Sequence, residues 1–542
     1  YFIFSLPLSQ IPFTKASSDL CPDGTADVFI IGAGASGVAA ARELIVQDAG
    51  LTYAWAEARH EVGGRMRVAD EQLCSLTDTN KCWILEDGAN WIQGGEGNFL
   101  LDLAWEYGLE HWRMDWGSVS FYEINNSNDS FEMIHKNLLP YELFGPAYDC
   151  LNEKALSCYE NSAGDDTCLL SIRDYMEQYC DWTPDNTQER FVEAYTLDYN
   201  EAIDPSDVGM ISYPLWLYGY DSQDKDFIVE DERGYKGLLE SHMAPIGEND
   251  RPTFNTLVTE VNLEGESGDY PVKVTAEHGE EEVSCNVKTV ISTLTSGYLI
   301  NNRELFTPPE SGINSILDNL ETTFNMSLYY KIFYIFKEPF WDEDTELIFT
   351  ANNEIETPDK KILHQCFIWV NRSPKSRSRY MARSNILMCT LLTDAVNEIT
   401  AGSGELDNTQ VDNLLDNIRL VYEVELAHGR DYEYHYHPWK TDPLTFGSYE
   451  TFRSSATRDT FEAATAPLKM NGKDDTLVHW AGNHSCLRYQ AWVQGAMAIG
   501  QSKARQVIND LCDDCEELDT TSICTEAPTG GFGSRYPTPR GT

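Results

Sequence analysis

Residues 27–31, DVFII, form an unbroken apolar run; GAGASG follows at once, and VAAARELI then repeats apolar positions at helical spacing. The run predicts a strand covered on both faces, and the Ala, Leu, Arg and Glu content of the next piece predicts a helix. LTYAWAE (51–57) and TFNTLVTEVNL (253–263) predict further strands. SLYYKIFYIF (327–336) is an aromatic and β-branched run with Lys331 in its middle. Alternation puts Lys331 and Phe333 on one face and Tyr330 and Ile332 on the other. Taken alone, that pattern sends Lys331 to the watery side of a half-buried strand. NILMCTLLTDAVNEI (385–399) and VDNLLDNIRLVYEVEL (411–426) read as a strand leading into helical pieces. No internal repeat is visible, and no stretch reaches the roughly 18 consecutive apolar residues of a spanning helix.

A length of 542 residues implies more than one domain and a core able to enclose a site. The formal charge of −49 disfavours nucleic acid and anionic membranes as partners and concentrates cations near the surface. Acidity also serves solubility alone, so the charge becomes informative only if the substrate is cationic. Fourteen cysteines and N-x-S/T sequons at Asn125, Asn128, Asn325, Asn371 and Asn483 point to export. The opening YFIFSLPLSQIPFTKASS reads as the tail of a secretory signal, giving an N-terminal arm over 1–23. Residues 516–542, rich in Gly and Pro near their end, read as a flexible tail without a lipid-anchor signal. Cys512 and Cys515, with Cys524 nearby, suit a disulfide or free thiols rather than zinc.

Gly32, Gly34 and Gly37 sit where a strand turns into a helix. There the first permits a tight turn, the second lets a pyrophosphate approach the backbone, and the third allows close helix–strand packing. Glu57 ends the second strand 20 residues after Gly37, the place for an acid that binds a ribose hydroxyl. EARHEVGGRMR follows, bringing Gly63, Gly64 and Arg65 within reach of a second phosphate.

This stretch resembles the E-A-x-x-R-x-G-G-R segment of the flavin amine oxidase family, with Glu61 in place of the first arginine and Arg59 as its substitute. DGANWIQGG (87–95) is similar to the segment that passes the flavin ring in polyamine oxidases. HPWKTDPLTFGSYETF (437–452) and HWAGNHSCLRYQAWVQGAMAIG (479–500) resemble the family's closing blocks, and LYYKIF its lysine-bearing strand. The blocks occur in family order over nearly the whole chain. The resemblance implies an α/β fold: a discontinuous Rossmann-type FAD-binding domain (24–100, 228–300 and 466–515) with a second α+β substrate domain of mixed sheet and helices (101–227 and 301–465).

It also implies roles for residues. FAD would be held by Gly32, Gly34, Ser36, Gly37, Glu57, Ala58, Arg59, Gly64, Arg65, Gly88, Ala89, Asn90, Trp91, Val258, Trp439, Gly482, Asn483 and Val493. The Gly495–Ala496 pair would direct a helix N-terminus at the flavin carbonyl. Asn483 stands where the family has glutamate. Tyr449 and Trp492, the latter where tyrosine or phenylalanine is usual, would flank an uncharged substrate amine and aim its carbon at flavin N5. Lys331 would hold a water near N5, and a lysine among aromatics has a lowered pKa suited to proton handling. Hydride passes to the flavin, water hydrolyses the imine to aldehyde and amine, and O2 reoxidation yields H2O2. Ser448 stands where some monoamine oxidases carry a flavin-linking cysteine, so the FAD is expected to be noncovalent.

The expected substrate is a small cationic polyamine, with Gln93, Asp198 and Glu201 as candidate contacts; the oligomeric state is left open. Three rival readings remain. An L-amino-acid oxidase needs an arginine for the substrate carboxylate, and GANWIQGGEGN offers none. A flavin-binding protein without turnover is kept open by Asn483 and Gln93. A metal site would draw on His435, His437, His479 and His484, which lack acids in ligand spacing.

Overall fold

The structure, a computed structural model, describes residues 20–70, 73–77, 82–93, 98–113, 119–125, 130–134, 141–160, 164–212, 226–265, 268–309, 312–341, 347–352, 365–367, 385–470 and 475–524. Most of the expected N-terminal arm, the tail beyond 524, and the sequons at Asn128 and Asn371 lie outside the described residues.

Strand β1 (Thr25–Ile31) runs parallel to β2 (Tyr53–Ala56), with helix α1 (Ala35–Val46) between them in sequence. Val28, Phe29 and Ile30 are fully buried, as expected of a strand covered on both faces. Strands β3 (Thr256–Asn262), β4 (Val272–His278) and β5 (Glu281–Ser292) form an antiparallel meander. The far end of β5 runs parallel beside β1. A Cys21–Cys285 disulfide ties that junction.

The chain then builds a second set of sheets. Strand β6 (Phe324–Ser327) leads into β7 (Tyr329–Phe336), which lies antiparallel between β8 (Ile386–Leu392) and β9 (Tyr432–Tyr436). Strand β10 (Tyr449–Phe452) pairs back onto β6. As the 385–426 pattern implies, β8 runs into helices Thr393–Ile399, Asn408–Asn413 and Asp416–Tyr422. The chain returns with β11 (Thr476–Trp480), parallel to β5, and closes with helix α2 (Val493–Leu511).

The result is a Rossmann-type sheet with helices beside a second α+β unit of mixed sheet. Helix α2 crosses α1 in close contact: a Cβ on Gly500 would lie 2.1 Å from the Ser36 carbonyl oxygen. Strand β7 departs from the alternating pattern. Residues 330–336 are all buried, so its two faces are both covered and Lys331 is 5% exposed. The solvent position suggested by alternation alone is therefore wrong, because β7 is flanked by strands on both edges and packed on both faces.

Candidate active site

Two glycine turns face each other at the end of the parallel sheet. Gly32 turns the chain at φ +95°, and a Cβ on Gly37 would sit 2.0 Å from the Gly32 carbonyl oxygen, so only glycine allows α1 to start there. Gly64, at φ +58°, packs so that its Cβ would lie 3.3 Å from Gly34 Cα. Gly34 meets nothing closer than 3.9 Å in its own Cβ direction, and no side chain caps α1. A cradle of backbone with helix N–H groups directed into it suits a pyrophosphate. Glu57 closes it from β2: its carboxylate accepts N–H bonds from Ala33 (2.6 Å) and Arg59 (2.8 Å). Burial raises its pKa, against N–H groups that include those of Ala58 and Arg59. Ser36 Oγ donates to the Ala481 carbonyl, joining the cradle to the closing block. The residues present fit a dinucleotide such as FAD.

The nearby arginines are engaged with the protein. Arg59 pairs with Asp442 at 2.6 Å, and His437 also reaches Asp442, at 2.7 Å. The two hold the Asp442 carboxyl down at about 2 against the opposing effect of burial. Arg65 pairs with buried Glu450 at 2.8 Å and donates to the Ser448 carbonyl at 3.2 Å. Glu61, at the position of a family arginine, pairs with Lys236. The close approach that Gly88 permits is to protein: its Cβ would lie 1.8 Å from the Arg65 carbonyl oxygen.

Lys331 reaches from β7 into the 86–91 segment. Its ammonium donates to the carbonyls of Glu86 (3.2 Å) and Gly88 and to Asn90 Oδ1 (2.9 Å). It stands 5.9 Å from the Trp91 ring centroid. Burial pushes Lys331 down to about 8, with Glu86 and Asp87 pulling the other way. Glu86, held by the Tyr235 N–H at 2.6 Å, is raised by burial to about 8. Asp87 accepts from His435 at 2.6 Å, and the Trp439 indole donates to its carbonyl at 3.3 Å. His435 and His437 thus serve two different carboxylates. The consecutive acids in LEDG were the available sign of this charged cluster.

Tyr449 and Trp492 meet on the wall of one cavity, together with Asn200, Glu201, Arg488 and Gln490. The first two come from distant blocks, and three local features aim the wall. A π-helical turn, Ala194–Asp198, precedes Tyr199–Glu201, and Ala202 ends that helix at φ +54°. Ala491, beside Trp492, is held at φ +66°. Such left-handed residues without a glycine cluster at functional sites. Tyr449 donates to the Asn200 carbonyl at 3.2 Å, and Glu201 accepts from Ser212 at 2.9 Å. The Tyr329 ring lies 6.2 Å from that of Tyr449. Tyr329 and Lys331 share one face of β7, so the strand that carries the buried ammonium also packs against Tyr449.

Other expected contacts fall elsewhere. Asp198 is bound to Arg190, which Glu193 also meets at 2.7 Å, so Asp198 does not line the cavity. The deep burial of the arginine claims it. Gln93 also lies off the cavity lining; its carbonyl accepts from Asn98 at 2.8 Å. Val258 is buried in β3, and a Cβ on Gly482 would lie 2.3 Å from the Leu294 carbonyl oxygen. Val493, with Gly495 and Ala496, forms the first turn of α2, which has no side-chain cap. Cys512 pairs with Cys515 and Cys486 with Cys524, resolving the CxxC as a disulfide. Sequence reasoning missed Glu86, Asp87, Glu450 and Arg488.

A family model described as flavin containing amine oxidoreductase matches residues 35–508. The chain is 23% identical to Polyamine oxidase 1 of Zea mays over 514 residues, spanning 89% of this chain and 90% of that protein. It is also 23% identical to the peroxisomal N(1)-acetyl-spermine/spermidine oxidase of Homo sapiens, spanning 89% and 94%. Among solved structures, putrescine oxidase bound to putrescine superposes with a TM-score of 0.65 at 16% identity, covering 90% of this chain and 99% of that one. Cyclohexylamine oxidase from Brevibacterium oxydans IH-35A gives 0.63 at 17%, with the same coverage. At these identities the structures establish a shared fold.

Proposed function

The chain belongs to the flavin-containing amine oxidoreductase family, as a noncovalent FAD protein that oxidises amines, and from that premise we propose that its substrates are polyamines of the spermine and spermidine class. FAD, held by the Gly32–Gly37 and Gly63–Gly64 turns and Glu57, would supply a two-electron acceptor for the C–H bond next to nitrogen, with O2 as the terminal acceptor that yields H2O2. The residues do the rest. Tyr449 and Trp492 hold the uncharged amine between aromatic faces and fix the direction of its carbon. Glu201, on the same wall, attracts a distal ammonium. Lys331 holds the water that hydrolyses the imine to aldehyde and amine, and handles its proton. The observation that carries the reading is the convergence of Tyr449, Trp492 and Glu201 on one cavity.

Arg488 favours a second reading, because it lines the same cavity and could meet a substrate carboxylate. A peroxide-release assay over mono-, di- and polyamines and amino acids separates the two. Polyamine turnover with little from amino acids supports the first; the reverse order sinks it. Export to an oxidising compartment is part of the proposal. It is supported by the absence of free cysteines among the described residues.

A further inference from the structure

Asn483 has a job that follows from its being an amide. Its Nδ2 donates to the Trp492 carbonyl at 2.7 Å, and its Oδ1 accepts the Ala491 N–H. The residue is 6% exposed. Two residues before it the chain is anchored on the parallel sheet, since the Ala481 N–H donates to the Ser292 carbonyl at 2.8 Å and the Ala481 carbonyl accepts from Ser36. Across the two bonds lie Ala491, at φ +66°, and Trp492, the uncapped entry to α2. Only a side chain that both donates and accepts can make this pair of bonds; a carboxylate cannot donate to the Trp492 carbonyl.

We propose that Asn483 is a positioning residue, whose amide clamps the Ala491–Trp492 turn and so fixes the tryptophan wall of the amine site. The proposal rests on the role given to Trp492, but its structural half does not. Asn483 is also a sequon, and burial of its engaged amide makes a glycan there incompatible with the clamp.

Three variants of the holoenzyme test it: Asn483→Leu, Asn483→Asp, and Ser485→Ala, which removes the sequon alone. The readouts are hydrogen exchange at the Ala491 amide, FAD content, and KM and kcat with spermine. Asn483→Leu is expected to speed exchange at Ala491 about tenfold or more, the loss of a buried bond. With both polar atoms of its amide bonded to the Ala491–Trp492 turn, Asn483 does not act on FAD as the sequence suggested, so the variant should keep its FAD and raise KM more than it lowers kcat. Asn483→Asp keeps the acceptor and should retain protection at Ala491, which also covers the case in which the leucine variant fails to fold. Ser485→Ala should match the parent. Unchanged protection in the leucine variant, loss of protection in the aspartate variant, an effect of Ser485→Ala equal to that of Asn483→Leu, or loss of FAD with KM unaltered would each overturn the proposal. If the parent chain does not oxidise spermine, the amine reading fails while the exchange result still decides the clamp.

Discussion

In the proposed reading the chemistry turns on Lys331, whose buried surroundings set its proton affinity. Burial draws it from 10.5 to about 8, so it is in the proton-accepting form above that value. Turnover should therefore rise with pH through about 8. Lys331→Met is expected to cut turnover about 10²-fold or more and to abolish that limb while FAD stays bound. Full activity in that variant would remove the role assigned to the lysine. Glu86 raises the lysine's proton affinity, so Glu86→Gln should move the limb to lower pH; a shift upward would contradict the assignment. The lowered value also bears on stability. Between about 8 and 10.5 the unfolded chain holds more protons at this residue, so its contribution grows more favourable as pH rises through that window. Lys331 itself was legible from a short strand motif. Its acids were not, because Glu86 and Asp87 meet the sheet strands only through tertiary packing, and Asp87 finds His435 from 348 positions away.

Elements that follow local rules were readable in advance. The strand–glycine turn–helix at the front, the strand before 393 and the helices after it all obey hydrophobic periodicity and glycine chemistry. Strand β7 defeated the same logic, since one lysine in an aromatic run reads as a polar face whenever the covering layers are unknown. The cavity wall was half legible: Tyr449, Trp492 and Glu201 converge, whereas Asp198, only three positions from Glu201, is claimed by Arg190. A π-helical turn between elements changes which acid faces inward, and nothing in LDYNEAIDP announces it. The α1–α2 crossing makes a separate test. An alanine at Gly500 gains about 1 kcal/mol of helix propensity but drives a methyl against the Ser36 carbonyl, a backbone contact that costs about 1–3 kcal/mol. Gly500→Ala is therefore expected to lower the melting temperature of the holoprotein; a rise would show that the helices separate freely.

At the scale of the whole molecule, disulfides and charge set the working conditions. The Cys21–Cys285 bridge closes a loop of 264 positions across the junction of meander and parallel sheet. Replacing both cysteines by serine should cost about 2–5 kcal/mol of stability, read as a fall in denaturant midpoint. The net charge of −49 draws cationic amines toward the surface, so kcat/KM for a polyamine should fall several-fold, roughly, as salt shortens the screening length. A rate indifferent to salt would reduce the acidity to a solubility device. The most direct test mixes the purified yellow protein with spermine in the absence of oxygen. Bleaching of the visible flavin band, restored when air is admitted, is the expected result; a colourless protein, or a band that spermine leaves unchanged, would contradict a flavin-bearing polyamine site walled by Tyr449 and Trp492.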